Sequence, residues 1–155
     1  TLYNGKMLLN TKNTNYSFGS LQSILKKGLL EIGLAEINRM ESVLILGVAG
    51  GSVVQTLVTD FSFSKKITGV ELDSEIINIA NSYFGLDKIS NFKCLIQDAE
   101  QFVKTDKNQY DLLIIDIFKD TEMPEFLFQE SFTNNIQVNN TILKTVLILV
   151  IKVLL

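Results

Sequence analysis

The sequence predicts an α/β protein built on a doubly wound parallel sheet. Five short apolar runs occur between residues 43 and 151, and segments with helical spacing separate them. Nearly continuous apolar strands are typical of parallel sheets that helices cover on both faces, because neither face of such a strand meets water. A glycine-rich loop follows the first apolar run directly, which is the position of the ligand-binding loop in sheets of this class.

Residues 1–40 are predicted to form a small β-hairpin followed by a helix. The Asn4-Gly5 dipeptide between short apolar flanks indicates a two-residue hairpin turn. The segment "GSLQSILKKGLLEIGLAEI" has helical spacing, and Ser20 is its candidate N-cap. Its predicted buried face consists of Leu21, Ile24, Leu25, Gly28, Leu29 and Ile32.

Residues 41–155 are predicted to form the sheet domain as a single compact unit. Its predicted strands are "SVLILG", "KITGVEL", "FKCLIQ", "YDLLIIDIF" and "TVLILVI". The predicted helices are "SVVQTLVTDF", "SEIINIANSYF", "AEQFVKT" and "PEFLFQESFTNNI", with Pro124 in the first turn of the last. In the second helix, one side carries Ile76, Ile77, Ala80, Tyr83 and Phe84. We expect further C-terminal strands of this fold to be cut off by the end of the sequence.

Composition excludes several classes of function. The net charge of −3 gives no reason to expect a nucleic-acid partner. The sequence contains no histidine, which excludes Ser-His-Asp and Cys-His catalysis and removes the commonest metal ligand. We therefore expect no metal. The single cysteine, Cys94, permits no internal disulfide and favours a reducing, cytoplasmic location.

The chain shows no secretory signal peptide, and its apolar C-terminal segment is a poor membrane span. The run "TILKTVLILVIKVLL" is interrupted by Lys144 and Lys152 and falls short of the ~20 apolar residues that a spanning helix needs. A buried strand is the better interpretation, so no membrane partner is expected. The same segment is compatible with a subunit surface, which leaves a homodimer open.

The loop from Gly47 to Gly51 is the first candidate for a binding site. It lies at the carboxyl end of the first parallel strand, where glycine lets a ligand approach the backbone closely. The following helix would add unpaired N–H groups that suit a phosphate or a carboxylate. The alternative is that these glycines only permit a tight strand-to-helix turn.

Acidic side chains follow the next three strands. Glu71 comes 24 residues after Gly47 and is suitably placed to accept hydrogen bonds from ribose hydroxyls. Asp98 and Asp116 end the third and fourth strands, so all four strands bring a glycine loop or an acid to one edge. Between Asp98 and Glu130 there are nine acids and three lysines, and a cleft with this excess of negative charge favours a cationic ligand. Two further acids have structural interpretations: Asp73 as a helix cap, and Asp111, at the opposite end of its strand.

The segments "VLILGVAGGS", "ITGVELDSEIINIANSYFGL", "FKCLIQDAEQFV" and "YDLLIIDIFKD" together resemble the class I S-adenosylmethionine-dependent methyltransferase fold. More closely, they resemble the spermidine synthase family over residues 43–120. The resemblance implies a Rossmann-like sheet, with residues 1–40 as an N-terminal hairpin and gate helix. It also implies a transferase that uses S-adenosylmethionine or its decarboxylated form, acting on a small molecule for which an amine is the candidate.

The resemblance implies roles for individual residues. The loop with Gly47, Ala49, Gly50 and Gly51 would hold the amino-acid part of the nucleoside ligand. Glu71 would hold the ribose hydroxyls beside Leu72, and Asp98 and Ala99 would face the adenine. Asp116 would orient and deprotonate the attacking amine, with Tyr16 or Tyr110 as helpers. Tyr16 and Asp120 are the candidate substrate residues.

Three departures from the family pattern leave alternatives open. Gly50 stands where the family carries an Asp, Lys119 stands where it carries an acid, and "FGS" at residues 18–20 replaces a Tyr-His-Glu run. A non-catalytic Rossmann-like binding domain is therefore one alternative. A nicotinamide-dependent oxidoreductase is another, although the loop "GVAGGS" matches its G-x-G-x-x-G fingerprint poorly.

Overall fold

Five parallel strands form the central sheet of the protein. The computed structural model describes residues 2–3, 6–7, 20–117, 122–139 and 145–148. Along the sheet the strand order is β5-β4-β3-β6-β7. These strands are β3 (Ser42–Leu46), β4 (Lys66–Glu71), β5 (Phe92–Ile96), β6 (Leu112–Ile115) and β7 (Thr145–Ile148). The chain runs outward from β3 in one direction and then returns to its other side, so the predicted doubly wound parallel sheet is confirmed.

Alternate residues of the central strands enter two separate hydrophobic clusters. On β3, Val43 and Ile45 pack into the cluster on one face, while Leu44 and Leu46 pack into the cluster on the other. All four are at most 2% exposed, because a period of two sends successive side chains to opposite faces. The apolar run is therefore continuous because each of its positions is buried, as the sequence predicts.

The N-terminal region contains two pairs of elements. Strands β1 (Leu2–Tyr3) and β2 (Lys6–Met7) pair antiparallel, whereas the predicted Asn4-Gly5 turn between them lies outside the described residues. Helices α1 (Ser20–Ile32) and α2 (Leu34–Ile37) follow, separated at Gly33.

The buried face of α1 is narrower than the sequence predicts. Leu25 and Leu29 are at most 2% exposed, but Ile24 is 45% exposed, so its predicted burial is wrong. Successive helical positions turn by about 100°, which moves Ile24 to the side of the Leu25–Leu29 stripe. Gly33 has φ +96 and ψ 137, a backbone conformation that residues with a Cβ rarely adopt, and it ends the helix before the predicted segment is complete.

The helix after the glycine loop changes its hydrogen-bond pattern midway. It begins as α3 (Ser52–Gln55) and continues as a π-helical turn, Thr56–Asp60. The helix after β4 is α4 (Ser74–Phe84), which Gly85 terminates at φ +65 before a short 3₁₀ turn. Tyr83 of α4 is 61% exposed, whereas Ile77 and Ala80, on the same predicted side of the helix, are buried.

The remaining helices cover the other face of the sheet. Helix α5 (Ala99–Thr105) has its predicted bounds. The segment after Pro124 starts with a 3₁₀ turn, Glu125–Phe128, and becomes α6 (Glu130–Asn139) only afterwards, so the predicted single helix is in two parts. Within the described residues, no helix is long and apolar enough to cross a membrane.

Candidate functional site

The carboxyl ends of four parallel strands meet along one edge of the sheet. The register pairs Leu46 with Val70 and with Ile115, and it pairs Glu71 with Ile96. Because the strands are parallel, the residue that follows each strand emerges at the same edge. The structure thus brings to this edge the four predicted features, namely the Gly47–Gly51 loop, Glu71, Asp98 and Asp116.

The glycines at both ends of the loop are required by packing within the protein. Gly47 has φ +89, and a Cβ there would overlap the backbone carbonyl of Asp116. Gly51 has φ +81, and a Cβ there would lie 2.7 Å from Leu86 Cδ1. At these two positions the contacts favour the turn-forming alternative, and the contact at Gly47 seats the loop against the end of β6.

Ala49, between these glycines, also adopts the left-handed conformation, with φ +47. This conformation is unfavourable for a residue with a Cβ and is uncommon outside glycine, asparagine and aspartate. Gly50, the position at which the loop departs from the family pattern, is buried. The loop therefore holds a strained backbone at the point where a ligand is predicted to bind.

The Glu71 carboxylate joins the glycine loop to the end of β4. The N–H groups of Val48 and Ala49 both donate to its Oε2 atom at 3.0 Å. The N–H groups of Leu72 and Asp73 donate to Oε1 at 2.9 and 3.1 Å. Four backbone N–H donors occupy the lone-pair positions of the carboxylate. A ribose diol that donates to Glu71 therefore has to share these acceptor positions with the backbone N–H groups. The sequence placed Glu71 at this edge but gave no sign of these contacts.

The Asp116 carboxylate has different surroundings. Burial and, to a lesser extent, the nearby negative charge of Glu71 together raise its pKa from 3.8 to about 6. No hydrogen bond from the described residues contributes to this shift. A carboxylate with a pKa near 6 accepts and releases a proton close to neutral pH, which is what general acid–base chemistry requires.

Asp98 caps a helix at the same edge. Its Oδ1 accepts a hydrogen bond at 2.9 Å from the N–H of Gln101 and so caps α5, in which Ala99 is the first residue. Leu72 and Ile96, at the ends of the neighbouring strands, are 68% and 50% exposed. This exposed apolar surface beside a carboxylate suits a flat, partly polar ring, and the adenine contact of Asp98 and Ala99 remains a prediction.

The two acids with structural interpretations behave as the sequence predicts. Asp73 caps α4 by accepting a hydrogen bond from the Glu75 N–H at 2.8 Å. At the opposite sheet edge, Asp111 Oδ2 accepts hydrogen bonds from the N–H groups of Glu41 and Ser42 at 2.8 and 3.2 Å. Neither observation bears on ligand binding.

Tyr110 is wrongly predicted as a helper of Asp116. It precedes β6 at the amino end of the sheet and is buried with Phe102 and Val103 beneath α5. Six residues of extended chain separate it from Asp116, which is about 20 Å. Burial raises the pKa of the Tyr110 phenol, and its side chain interacts with Asp106 and Thr68 instead.

Three further predictions concern residues away from this edge or outside the described ranges. Tyr16 and Asp120, the candidate substrate residues, lie outside the described residues, as do Phe18, Gly19 and Lys119. In the described part of the chain, no three His, Cys, Asp or Glu side chains are grouped as a metal ion requires. Cys94 packs partly buried against one hydrophobic cluster, and burial, with a smaller contribution from the charge of Glu71, raises the pKa of its thiol to about 11.

Comparison with known proteins relates the chain to polyamine-forming enzymes. Residues 22–148 match the Spermine/spermidine synthase domain. The chain is 28% identical over 113 residues to the polyamine aminopropyltransferase of Clostridium beijerinckii, and this match covers 69% of the chain and 39% of that enzyme. The chain therefore spans well under half of the length of this curated relative.

Solved structures with the same fold include two spermidine synthases. A probable spermidine synthase from Corynebacterium glutamicum gives a TM-score of 0.67 at 16% identity, covering 83% of this chain and 46% of that one. A spermidine synthase in complex with the transition-state analogue AdoDATO gives a TM-score of 0.55 at 21% identity, covering 72% and 41%. At these identities the structural likeness establishes the fold.

Proposed function

Because the chain belongs to the spermine/spermidine synthase family, we propose that it transfers an aminopropyl group from decarboxylated S-adenosylmethionine to an amine. Family membership favours this activity over the nicotinamide-dependent alternative. A solved protein of the same fold was captured with AdoDATO, which supports a related donor here. The observation that carries the proposal is the convergence of the glycine loop, Glu71, Asp98 and Asp116 at one sheet edge.

The donor would lie across the ends of β3, β4 and β5. Its amino-bearing chain would run along the Gly47–Gly51 loop, and its ribose would reach Glu71. The adenine would lie against Leu72 and Ala99, with Asp98 at its edge. In this arrangement an apolar surface contacts the ring faces while carboxylates accept from the polar groups, which is the usual division in a small-molecule site.

Asp116 would prepare the attacking amine. When bound, the donor supplies an electrophilic carbon next to a sulfonium, and the broken C–S bond leaves its electron pair on sulfur. Asp116 would orient the amine for in-line attack and accept the proton that the nitrogen loses as the new C–N bond forms. Its negative charge would also stabilise the cationic amine centre during the transfer.

The direct test removes the proposed base and leaves the donor site intact. We expect Asp116→Asn to lower the transfer rate at least ~100-fold, since general bases contribute about 10²–10⁴ in rate. The dissociation constant of the decarboxylated donor, measured by calorimetry, is expected to change only a few-fold. Asp87→Asn, which makes the same substitution at an exposed acid that is not one of the four site features, is the matched control and should leave both quantities unchanged.

Three outcomes would contradict the proposal. Unimpaired transfer by the Asp116→Asn variant would remove Asp116 from the mechanism. Tight binding of carboxylate-bearing S-adenosylmethionine, with no affinity for the decarboxylated form, would replace aminopropyl transfer by methyl transfer. Donor binding without transfer to any amine would favour the non-catalytic alternative.

A further inference from the structure

We propose that Glu71 is a positioning residue that fixes the conformation of the Gly47–Gly51 loop before any ligand binds. This inference rests on the proposed function only in taking the loop as the donor site. Its basis is the Oε2 atom of Glu71, which accepts hydrogen bonds from the N–H groups of Val48 and Ala49 at 3.0 Å. The two N–H groups that could otherwise point toward a ligand are thereby turned toward a carboxylate on the neighbouring strand.

The backbone of Ala49 needs such a restraint. Its φ of +47 is disfavoured for a residue with a Cβ, and a disfavoured conformation persists only where the surroundings impose it. The hydrogen bond from Ala49 N–H to Glu71 acts directly on this residue. The flanking Gly47 and Gly51 have positive φ without this penalty, so the strain of the loop is concentrated where the carboxylate binds.

Glu71 is itself held in place from its own strand. Its Oε1 atom accepts hydrogen bonds from Leu72 and Asp73, and its backbone carbonyl accepts one from the Gln97 N–H at 2.9 Å. These contacts fix the carboxylate at the end of β4, and the loop adopts the conformation that lets its N–H groups reach that carboxylate. Charge-assisted hydrogen bonds of this kind are stronger than neutral ones, which suits a restraint on a strained segment.

A hydrogen bond inside the loop reports on this restraint independently of Glu71. The N–H of Gly51 donates to the carbonyl of Val48 at 2.9 Å and closes the turn that contains Ala49. If Glu71 only accepts hydrogen bonds from the two loop residues and does not position the loop, removing its carboxylate exposes the Val48 and Ala49 amides to exchange and leaves the Gly51 amide protected. If Glu71 positions the loop, the turn opens and the Gly51 amide loses its protection too.

Amide hydrogen exchange of the ligand-free full chain, followed by NMR, distinguishes these cases. The Glu71→Leu variant removes all four acceptor positions while keeping a side chain of similar bulk. We expect the Gly51 amide to exchange at least about tenfold faster in this variant, as well as the Val48 and Ala49 amides. Amides of the central strand β3 serve as the reference for global opening and should change much less.

Two further variants sharpen the comparison. Glu75→Leu makes the same substitution at an exposed acid on α4 and should leave the loop amides unchanged. Adding Ala49→Gly to Glu71→Leu should restore protection at Gly51, because glycine holds the left-handed turn without strain. It should not restore protection at Val48 or at position 49, whose acceptor is gone.

The inference is overturned if Gly51 protection in Glu71→Leu equals that of the wild type, or if it falls no more than that of β3. If Glu71→Leu does not fold, Glu71→Gln takes its place, since its single acceptor oxygen predicts a smaller rise in the same amides. The measurement contains no ligand, so its result is independent of the proposed function. If the wild type did not bind the donor, the proposed function would be contradicted, whereas the positioning role of Glu71 would be unaffected.

Discussion

At the scale of single residues, two carboxylates share one sheet edge in opposite surroundings. Glu71 accepts four backbone hydrogen bonds, whereas the raised pKa of the partly buried Asp116 owes nothing to a hydrogen bond from the described residues. Such a pair is suited to separate tasks, with one acid fixing structure and the other exchanging a proton. The free-energy cost of ionising the Asp116 carboxylate in its buried surroundings is expected to appear in the stability of the fold.

We expect Asp116→Asn to stabilise the protein at pH 8 and not at pH 4. An acid whose native pKa lies above its unfolded value binds its proton more tightly in the native state, so its ionisation lowers the free energy of unfolding as the pH rises from 3.8 through about 6. The shift of roughly two units corresponds to up to about 3 kcal/mol. Denaturant unfolding of wild type and variant at both pH values measures the difference.

Asp87→Asn is again the control, because Asp87 is exposed and its substitution should leave the pH dependence unchanged. A variant that gains as much stability at pH 4 as at pH 8 would show that ionisation of Asp116 is not the cause. Equal stability of variant and wild type at pH 8 would mean that this carboxylate is solvated as an ordinary surface acid.

The residue-scale predictions succeeded where position along a strand decides the outcome. Asp73 and Asp111 have the structural roles that their sequence positions indicate. The prediction for Tyr110 failed because residues at opposite ends of one strand cannot meet. The hydrogen bonds of Glu71 could not be predicted, since they depend on backbone N–H directions that the left-handed conformation of Ala49 sets.

At the scale of elements, the glycine loop and the end of β6 form one unit. Gly47 N–H donates to the Val70 carbonyl at 2.9 Å, and the missing Cβ of Gly47 makes room for the carbonyl of Asp116. Asp116 N–H in turn donates to the Leu46 carbonyl at 2.8 Å. The position of the proposed base, Asp116, is thus coupled to Gly47, the first residue of the loop.

Gly47→Ala should therefore destabilise the protein much more than Gly33→Ala. Both glycines have positive φ, so each substitution strains the backbone by roughly 1–3 kcal/mol. A Cβ at Gly33 meets nothing within 4 Å, whereas at Gly47 it overlaps the Asp116 backbone, which should add at least about 1 kcal/mol. Free energies of unfolding measure the difference, and equal losses for the two variants would contradict the coupling.

Element types were predictable, and their irregular ends were not. Parallel strands and α5 followed from apolar runs and caps that are local in the sequence. The exposure of Ile24 and Tyr83 could not be predicted, since helical spacing defines a stripe but not its width or its partner. The π-helical turn after α3 also has no pattern in the sequence that predicts it.

At the scale of the whole molecule, the strand order decides where the site lies. Because β3 is central and the chain departs from it in both directions, the loop after β3 faces the ends of β4 and β6 together. The predicted fold and the resemblance to spermidine synthases are confirmed. The roles of the individual site residues remain predictions, because they depend on a bound donor.

The most direct test of the central claim is an NMR titration of the full chain with decarboxylated S-adenosylmethionine. We expect saturable shifts of amide signals confined to the carboxyl edge, at residues 47–51, 71–73, 97–99 and 116–117. Amides at the amino edge, such as Ser42 and Asp111, should stay unperturbed. Shifts that cluster at the amino edge, or no saturable shifts at any donor concentration, would contradict a nucleoside site at these strand ends.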